Sequence, residues 1–311
     1  MLAHRRPMLL LAVVVVAAVT TAALVTGGRE THVVVGGAAL DRLVKWLLVT
    51  LPGPGSGGYD QPRRDQADAL ARAYAAARSG DAARAARLAA PLGYGVRRLG
   101  EGDARALALA PRPRADDKPG RGWGLFVHAP AARADLIVEV VHPRADVRTA
   151  LLGLLAFRAT EAGDLLIAGA HRAANADGSA DVAHAPTSAF QTVHRSLLHR
   201  GVTVLQLHGF DSRARSPGYG DAVVSDGTSL PSAPARAVAR ALRAAGLRVC
   251  LYNGKRCSQL AAMTNVQGQA TRDAGGAFVH VELAARVRRE RDLRGRVIGA
   301  LSDALRTTSH G

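Results

Sequence analysis

The chain has 311 residues, 48% of them apolar and only 4% aromatic, so it can bury a full core, and that core must be packed from alanine, valine and leucine. Its formal net charge of +16 is almost all arginine, because lysine occurs only at Lys45, Lys118 and Lys255. No arginine-rich segment is interleaved with stacking aromatics, which excludes a dedicated nucleic-acid module and leaves a solvated surface or a face for an anionic partner.

His4-Arg5-Arg6 is a short basic head, and Met8 to Val25 is an uninterrupted run of apolar and small residues followed by Thr26-Gly-Gly28. Residues 1–28 are therefore expected to be a signal peptide or a membrane anchor. The run is long for the first and barely long enough for the second, so the protein is expected to be exported, and either secreted or tethered to a membrane through residues 8–25. A largely apolar stretch from Val33 to Leu51 breaks at Pro52-Gly-Pro-Gly-Ser-Gly-Gly58. Gly53, Gly55 and Gly58 satisfy the spacing of a dinucleotide-binding turn, but Pro54 restricts that turn and no βαβ unit follows, so the segment reads as a flexible linker. Between Asp65 and Leu88 the pattern predicts two short helices joined at Ser79-Gly-Asp81. Residues 111 to 122, rich in proline and charge, read as an exposed loop. Residues 29–122 are thus expected to be an N-terminal helical extension and linker, and residues 123–311 the main domain.

From Trp123 onward strands and helices alternate. Strands are predicted over 123–127, 136–141, 165–168, 202–207, 221–225, 247–252 and 277–282, with helices over 146–159, 189–199, 233–245 and at the charged C-terminus. The alternation predicts an α/β fold with a mainly parallel, doubly wound sheet. Cys250 and Cys257 can close one small loop, which suits an exported chain, or can remain two buried thiols. Two thiols without a paired-histidine motif do not make a structural zinc site.

Four predicted strands end on residues that ligate metals or move protons: His142 with Asp146, His171 with Arg172, His208, and Glu282. In open α/β sheets ligands bind beyond the carboxyl ends of the strands, so these distant segments point to one site. A tight turn through Pro143 can aim His142 and Asp146 at one cation, and His208 is the best third ligand, with Gly209 allowing close backbone approach. Two imidazoles and one carboxylate leave a position open for water, the catalytic arrangement of zinc. Phe278, His280 and Glu282 share one face of a strand, so Glu282 must be paired or functional, and beside such a cation it would serve as general base. The loop from Ala170 to His194 holds His171, Arg172, Asp181 and His184; Arg172 can clamp a substrate carboxylate or stabilise an oxyanion, and His171 or His184 can contact substrate or replace a ligand. His194 and His199 read as surface or packing residues.

The order of His142-x-x-x-Asp146, a later strand-end His208 and a late Glu282 followed by Leu-Ala-Ala-Arg-Val-Arg288 resembles the zinc carboxypeptidase-like superfamily, nearest to its poly-gamma-glutamate hydrolase and N-formylglutamate amidohydrolase branches. The resemblance covers about Trp123 to Arg288. It implies a phosphorylase/hydrolase-like α/β fold, one zinc ion held by His, an acidic residue and His, and a glutamate base near the end of the chain. Carboxypeptidases use a His-x-x-Glu pair, whereas here the acid is aspartate at a longer spacing, which leaves Asp181 or His184 open as alternatives to Asp146. The expected function is a zinc-dependent amidohydrolase or peptidase acting on a small peptide or acidic amide. The rival from another class is a non-catalytic envelope protein that binds an anionic wall polymer through its arginines. No G-x-S-x-G or phosphate-binding loop motif is present.

Overall fold

The computed structural model describes residues 35–102, 105–113, 120–211 and 219–306. In chain order these form α1 (Gly37–Thr50), α2 (Arg64–Arg78), α3 (Ala82–Ala89), β1 (Tyr94–Leu99), β2 (Ala106–Pro111), β3 (Leu125–His128), β4 (Arg133–Val140), α4 (Thr149–Ala159), β5 (Ala162–Ile167), α5 (Ala189–Leu197) and β6 (Thr203–Phe210). There follow β7 (Ala222–Ser225), α6 (Ala233–Ala244), β8 (Val249–Leu251), α7 (Val266–Asp273), β9 (Ala277–Ala284), α8 (Ala285–Arg289) and α9 (Arg291–Arg306).

The strands form one mixed sheet in the order β1-β2-β3-β5-β4-β6-β9-β7-β8. Its centre, β5-β4-β6-β9, is parallel. The flanks depart from the expected mainly parallel sheet: β1, β2 and β3 run antiparallel to their neighbours, as β3 does to β5, and β7 runs antiparallel to β9 before pairing in parallel with β8. Strands β1 and β2 were not foreseen. Residues 29–122, expected as a separate extension, supply these two strands to the same sheet, and the described residues from 35 onward belong to one compact unit.

The central strands are near-continuous apolar runs because both sheet faces are covered. Leu136, Val138 and Val140 of β4, Leu205 and Leu207 of β6, and Val279, Val281 and Leu283 of β9 enter one core with Leu40 and Leu47 of α1, Leu152 of α4, Val238 of α6 and Val297 of α9. The alternate residues Ile137, Val204 and Phe278 enter the other core with Leu70 and Tyr74 of α2 and Phe190 and Val193 of α5. Helix α4 can lie close against β4 because Gly153 faces Val140.

The two short helices joined at Ser79-Gly-Asp81 are α2 and α3, with the Asp81 side chain accepting from the N–H of Arg84. The glycine-rich stretch 52–58 is not a free linker. Gly55 and Gly57 donate backbone hydrogen bonds to Ala173 and Ala174 at 2.7 and 2.8 Å, and His171 N–H returns one to Pro52 at 2.9 Å. The segment is therefore pinned against the loop after β5. Cys250 and Cys257 form a disulfide. The expected targeting segment 1–28 lies outside the described residues. Among the described residues, no helix is long and apolar enough to cross a membrane.

Candidate metal centre

The second sheet face changes character toward the carboxyl ends of β4, β6 and β9. Alternation that puts Ile137, Val204 and Phe278 in the core puts Glu139, Gln206, His208, His280 and Glu282 on that same face. Register aligns them: Glu139 pairs with Gln206, Gln206 with His280, and His208 with Glu282. His208 and Glu282 thus sit inside their strands, whereas the sequence placed both at strand ends. His142 follows β4, and the chain makes a single helical turn in which Asp146 N–H donates to the His142 carbonyl at 2.9 Å before α4 begins. That turn brings the Asp146 side chain back over His142, as the spacing suggested.

His142, Asp146 and His208 come together, with their candidate ligand atoms all within 4.8 Å of one another. Asp146 Oδ2 lies 3.4 Å from His142 Nδ1 and 3.3 Å from His208 Nδ1. The two rings stand edge to face at 4.9 Å between centroids. Each histidine uses its other nitrogen on a fixed acceptor: His142 Nε2 bonds Asp181 Oδ1 and His208 Nε2 bonds Gln206 Oε1, both at 2.8 Å. Committing Nε2 as a donor leaves the Nδ1 atoms to face the carboxylate. His142 Nδ1 is buried without a hydrogen-bond partner in the structure. An unpartnered buried imidazole nitrogen, a second buried imidazole and a carboxylate oxygen converging on one point are a donor set that fits a divalent cation. A hydrogen bond from Gly209 N–H at 3.1 Å orients the same Asp146 oxygen.

Electrostatics agree with this arrangement. Burial works against charge on His142, but Asp146 and Asp181 outweigh it and hold this imidazole above its ordinary value. Burial pushes His208 below its ordinary value although Asp146 opposes the shift. Burial would raise Asp146 and Asp181, yet the histidines facing them, joined at Asp181 by Arg172, outweigh it and hold both carboxyls far below the usual range.

These groups line a cavity of about 580 Å³ together with Arg172, His184, His280, Glu282 and the loop from Ser258 to Asn265. Asp181, an open alternative for the acidic ligand, instead stands behind His142 and ties it to the rim, accepting from Arg172 at 2.6 Å and lying 3.2 Å from His184 Nδ1. His171, expected at the substrate, is not among the cavity-lining residues, and its Nδ1 accepts from the N–H of Ala173. His280, two residues before Glu282, was not singled out as a site residue. It is buried with Nε2 4.0 Å from Glu282 Oε1, and burial followed by the charge of His208 holds it well below its ordinary value. His208, His280 and Glu282 form a second group of candidate ligands. Both groups draw on His208, and with its Nε2 committed to Gln206 that ring has one nitrogen to offer, so the two groups compete for one cation rather than hold two.

Of the two readings of His194, surface or packing, the structure gives packing: it is fully buried against Glu139 at 2.7 Å. Glu139 carried the one signal that could have revealed this pair, a carboxylate inside the apolar run 136–141.

No protein-family model matches this chain, and no curated protein does. Among solved structures, it is similar to a bacteriophage poly-gamma-glutamate hydrolase at 14% sequence identity and a TM-score of 0.39, over 56% of this chain and 84% of that one.

Proposed function

We propose that the protein is a zinc-dependent hydrolase that cleaves an amide or peptide bond near a carboxylate. The observation that carries this is the convergence of His142 Nδ1, Asp146 Oδ2 and His208 Nδ1 at a cavity that Glu282 also lines. A divalent cation bound to these three groups supplies Lewis acidity toward a carbonyl and lowers the pKa of water. Glu282 takes the proton from the attacking water and delivers it to the leaving amine. Arg172 meets the anionic group of the substrate: one of its nitrogens is engaged by Asp181, and the partly exposed side chain lines the cavity with donors left over. His184, beside it on the rim, contacts the same end of the substrate. Because His208 offers one nitrogen, the centre takes one ion per chain. Export, with or without a tether through residues 8–25, belongs to the same proposal, and the Cys250–Cys257 pairing fits an oxidising compartment.

A second reading draws on a different observation. Arg64 and Arg72 of α2 and Arg195 of α5 line an open groove of about 950 Å³, which suits a protein that binds an anionic polymer without cleaving it.

Elemental analysis of protein purified without chelator separates the two. The hydrolase is expected to carry about one zinc per chain, lost in His142→Ala and His208→Ala. Glu282→Gln is expected to keep the metal and lose at least about a hundredfold in turnover of acidic peptides and N-acyl amino acids. Wild-type protein that cannot be loaded with zinc leaves the polymer-binding reading.

A further inference from the structure

Behind the candidate centre, on the same sheet face, lies a buried polar chain that the proposed reaction does not use. His208 Nε2 is 2.8 Å from Gln206 Oε1, and Asn265 Nδ2 donates to that same oxygen at 2.7 Å. The nitrogen end of the Gln206 amide donates to Glu139 Oε2 at 3.0 Å and to Gln267 Oε1 at 3.3 Å. Gln267 is itself fixed, because its Nε2 donates to the Val182 carbonyl and to Gln191 Oε1, each at 2.9 Å. Glu139 Oε1 lies 2.7 Å from His194 Nδ1, and both side chains are fully buried.

The orientation of the Gln206 amide follows from its neighbours. A carboxylate oxygen only accepts, so the end of Gln206 facing Glu139 must be the NH₂ group, and the end facing His208 must be the carbonyl. A carbonyl in turn requires a proton on His208 Nε2, which leaves the lone pair on Nδ1, the nitrogen 3.3 Å from Asp146 Oδ2. Burying the Glu139 carboxylate in the middle of a central strand is costly, and an apolar residue of similar volume would pack there as well. Its position two bonds behind a candidate ligand gives that cost a purpose.

We propose that Glu139 and Gln206 are positioning residues that lock His208 in the Nε2–H tautomer and so present its Nδ1 to the cation. The inference rests on the metal-centre reading for its purpose, but the tautomer can be measured without metal. Full-length protein labelled with ¹⁵N is examined by long-range proton–nitrogen NMR of its histidine rings at mildly alkaline pH without metal. Zinc affinity is then measured by competition with a chelator for wild type, Gln206→Leu and the isosteric Glu139→Gln.

Wild-type His208 is expected to show a protonated Nε2 and a bare Nδ1. In Gln206→Leu both tautomers are expected, with zinc affinity lower by about tenfold to a hundredfold. Glu139→Gln is expected to lower zinc affinity by a smaller factor, because a neutral amide no longer forces Gln206 to turn its carbonyl toward His208. A protonated Nδ1 on wild-type His208 overturns the proposal, as does a folded Gln206→Leu that keeps both the tautomer and zinc affinity within about twofold. If Gln206→Leu does not fold, the wild-type tautomer and Glu139→Gln decide, and unchanged zinc affinity in that isosteric variant overturns it. A bare Nδ1 in a wild-type protein that binds no zinc upholds the tautomer lock and defeats the hydrolase reading, so the two failures are distinguishable.

Discussion

The nitrogens of His142 are held to different tasks: Nε2 is anchored on Asp181 while Nδ1 faces Asp146. Because the two carboxylates outweigh burial and hold this imidazole above its ordinary value, a cation at Nδ1 competes with a proton for that nitrogen. Zinc affinity is therefore expected to rise with pH across the neutral range. Calorimetric titration in buffers of different ionisation enthalpy should show proton release, and equal heats in all buffers would contradict it. Asp221 gives a stability counterpart away from the centre. Burial would raise its carboxyl, but Arg248 and Arg286 outweigh burial and lower it to about 2. A depressed folded value stabilises the protein above the unfolded value of about 3.9, and that stability is lost as pH falls toward 2. Asp221→Asn is thus expected to destabilise at neutral pH by no more than about 1 kcal/mol, since both arginines are largely exposed, with the difference from wild type fading between about pH 4 and pH 2 in denaturant titrations.

At the scale of elements, β9 carries the clearest division of labour. Val279, Val281 and Leu283 pack into one core while Phe278, His280 and Glu282 face the other side, so one strand serves packing and chemistry through alternation alone. On strand β3, Phe126 is fully buried against Tyr74 and Phe190 of α2 and α5. Phe126→Ala is expected to cost about 3–5 kcal/mol in chemical unfolding and to leave zinc stoichiometry intact in the protein that remains folded. The disulfide closes the short loop that leads into the cavity-lining segment 258–265. Replacing Cys250 and Cys257 together by serine is expected to lower stability by about 2 kcal/mol and to speed amide hydrogen exchange in that segment.

At the scale of the whole molecule, the N-terminal third of the described chain is part of the sheet. Tyr74 Oη donates to the Asp164 carboxylate at 2.7 Å and lies 2.8 Å from the Val127 carbonyl, and Trp123 Nε1 donates to the Asp60 carbonyl. A protein starting at residue 123 would expose the edge of β3 and one face of its core. It is expected to be insoluble or to lack a cooperative thermal transition, whereas the chain from residue 33 onward should show one. A soluble, cooperatively folding 123–311 fragment would disprove this dependence.

Alternation and strand-end chemistry made much of this legible. The strands β4, β5, β6 and β9, the helices α4, α5 and α6, the turn from His142 to Asp146 and the pairing of both with His208 follow from local periodicity and from residue types set at the edge of apolar runs. Periodicity could not give strand order or direction, because these depend on contacts between segments far apart in the chain, so the antiparallel flanks and the strands β1 and β2 emerged only in the folded sheet. The same limit applies inside the centre. That Asp146 rather than Asp181 meets both imidazoles, that His171 stands aside, and that Glu139, Gln206 and His194 form a buried chain behind His208 are consequences of register between neighbouring strands, and register is set by tertiary packing rather than by any one strand's sequence.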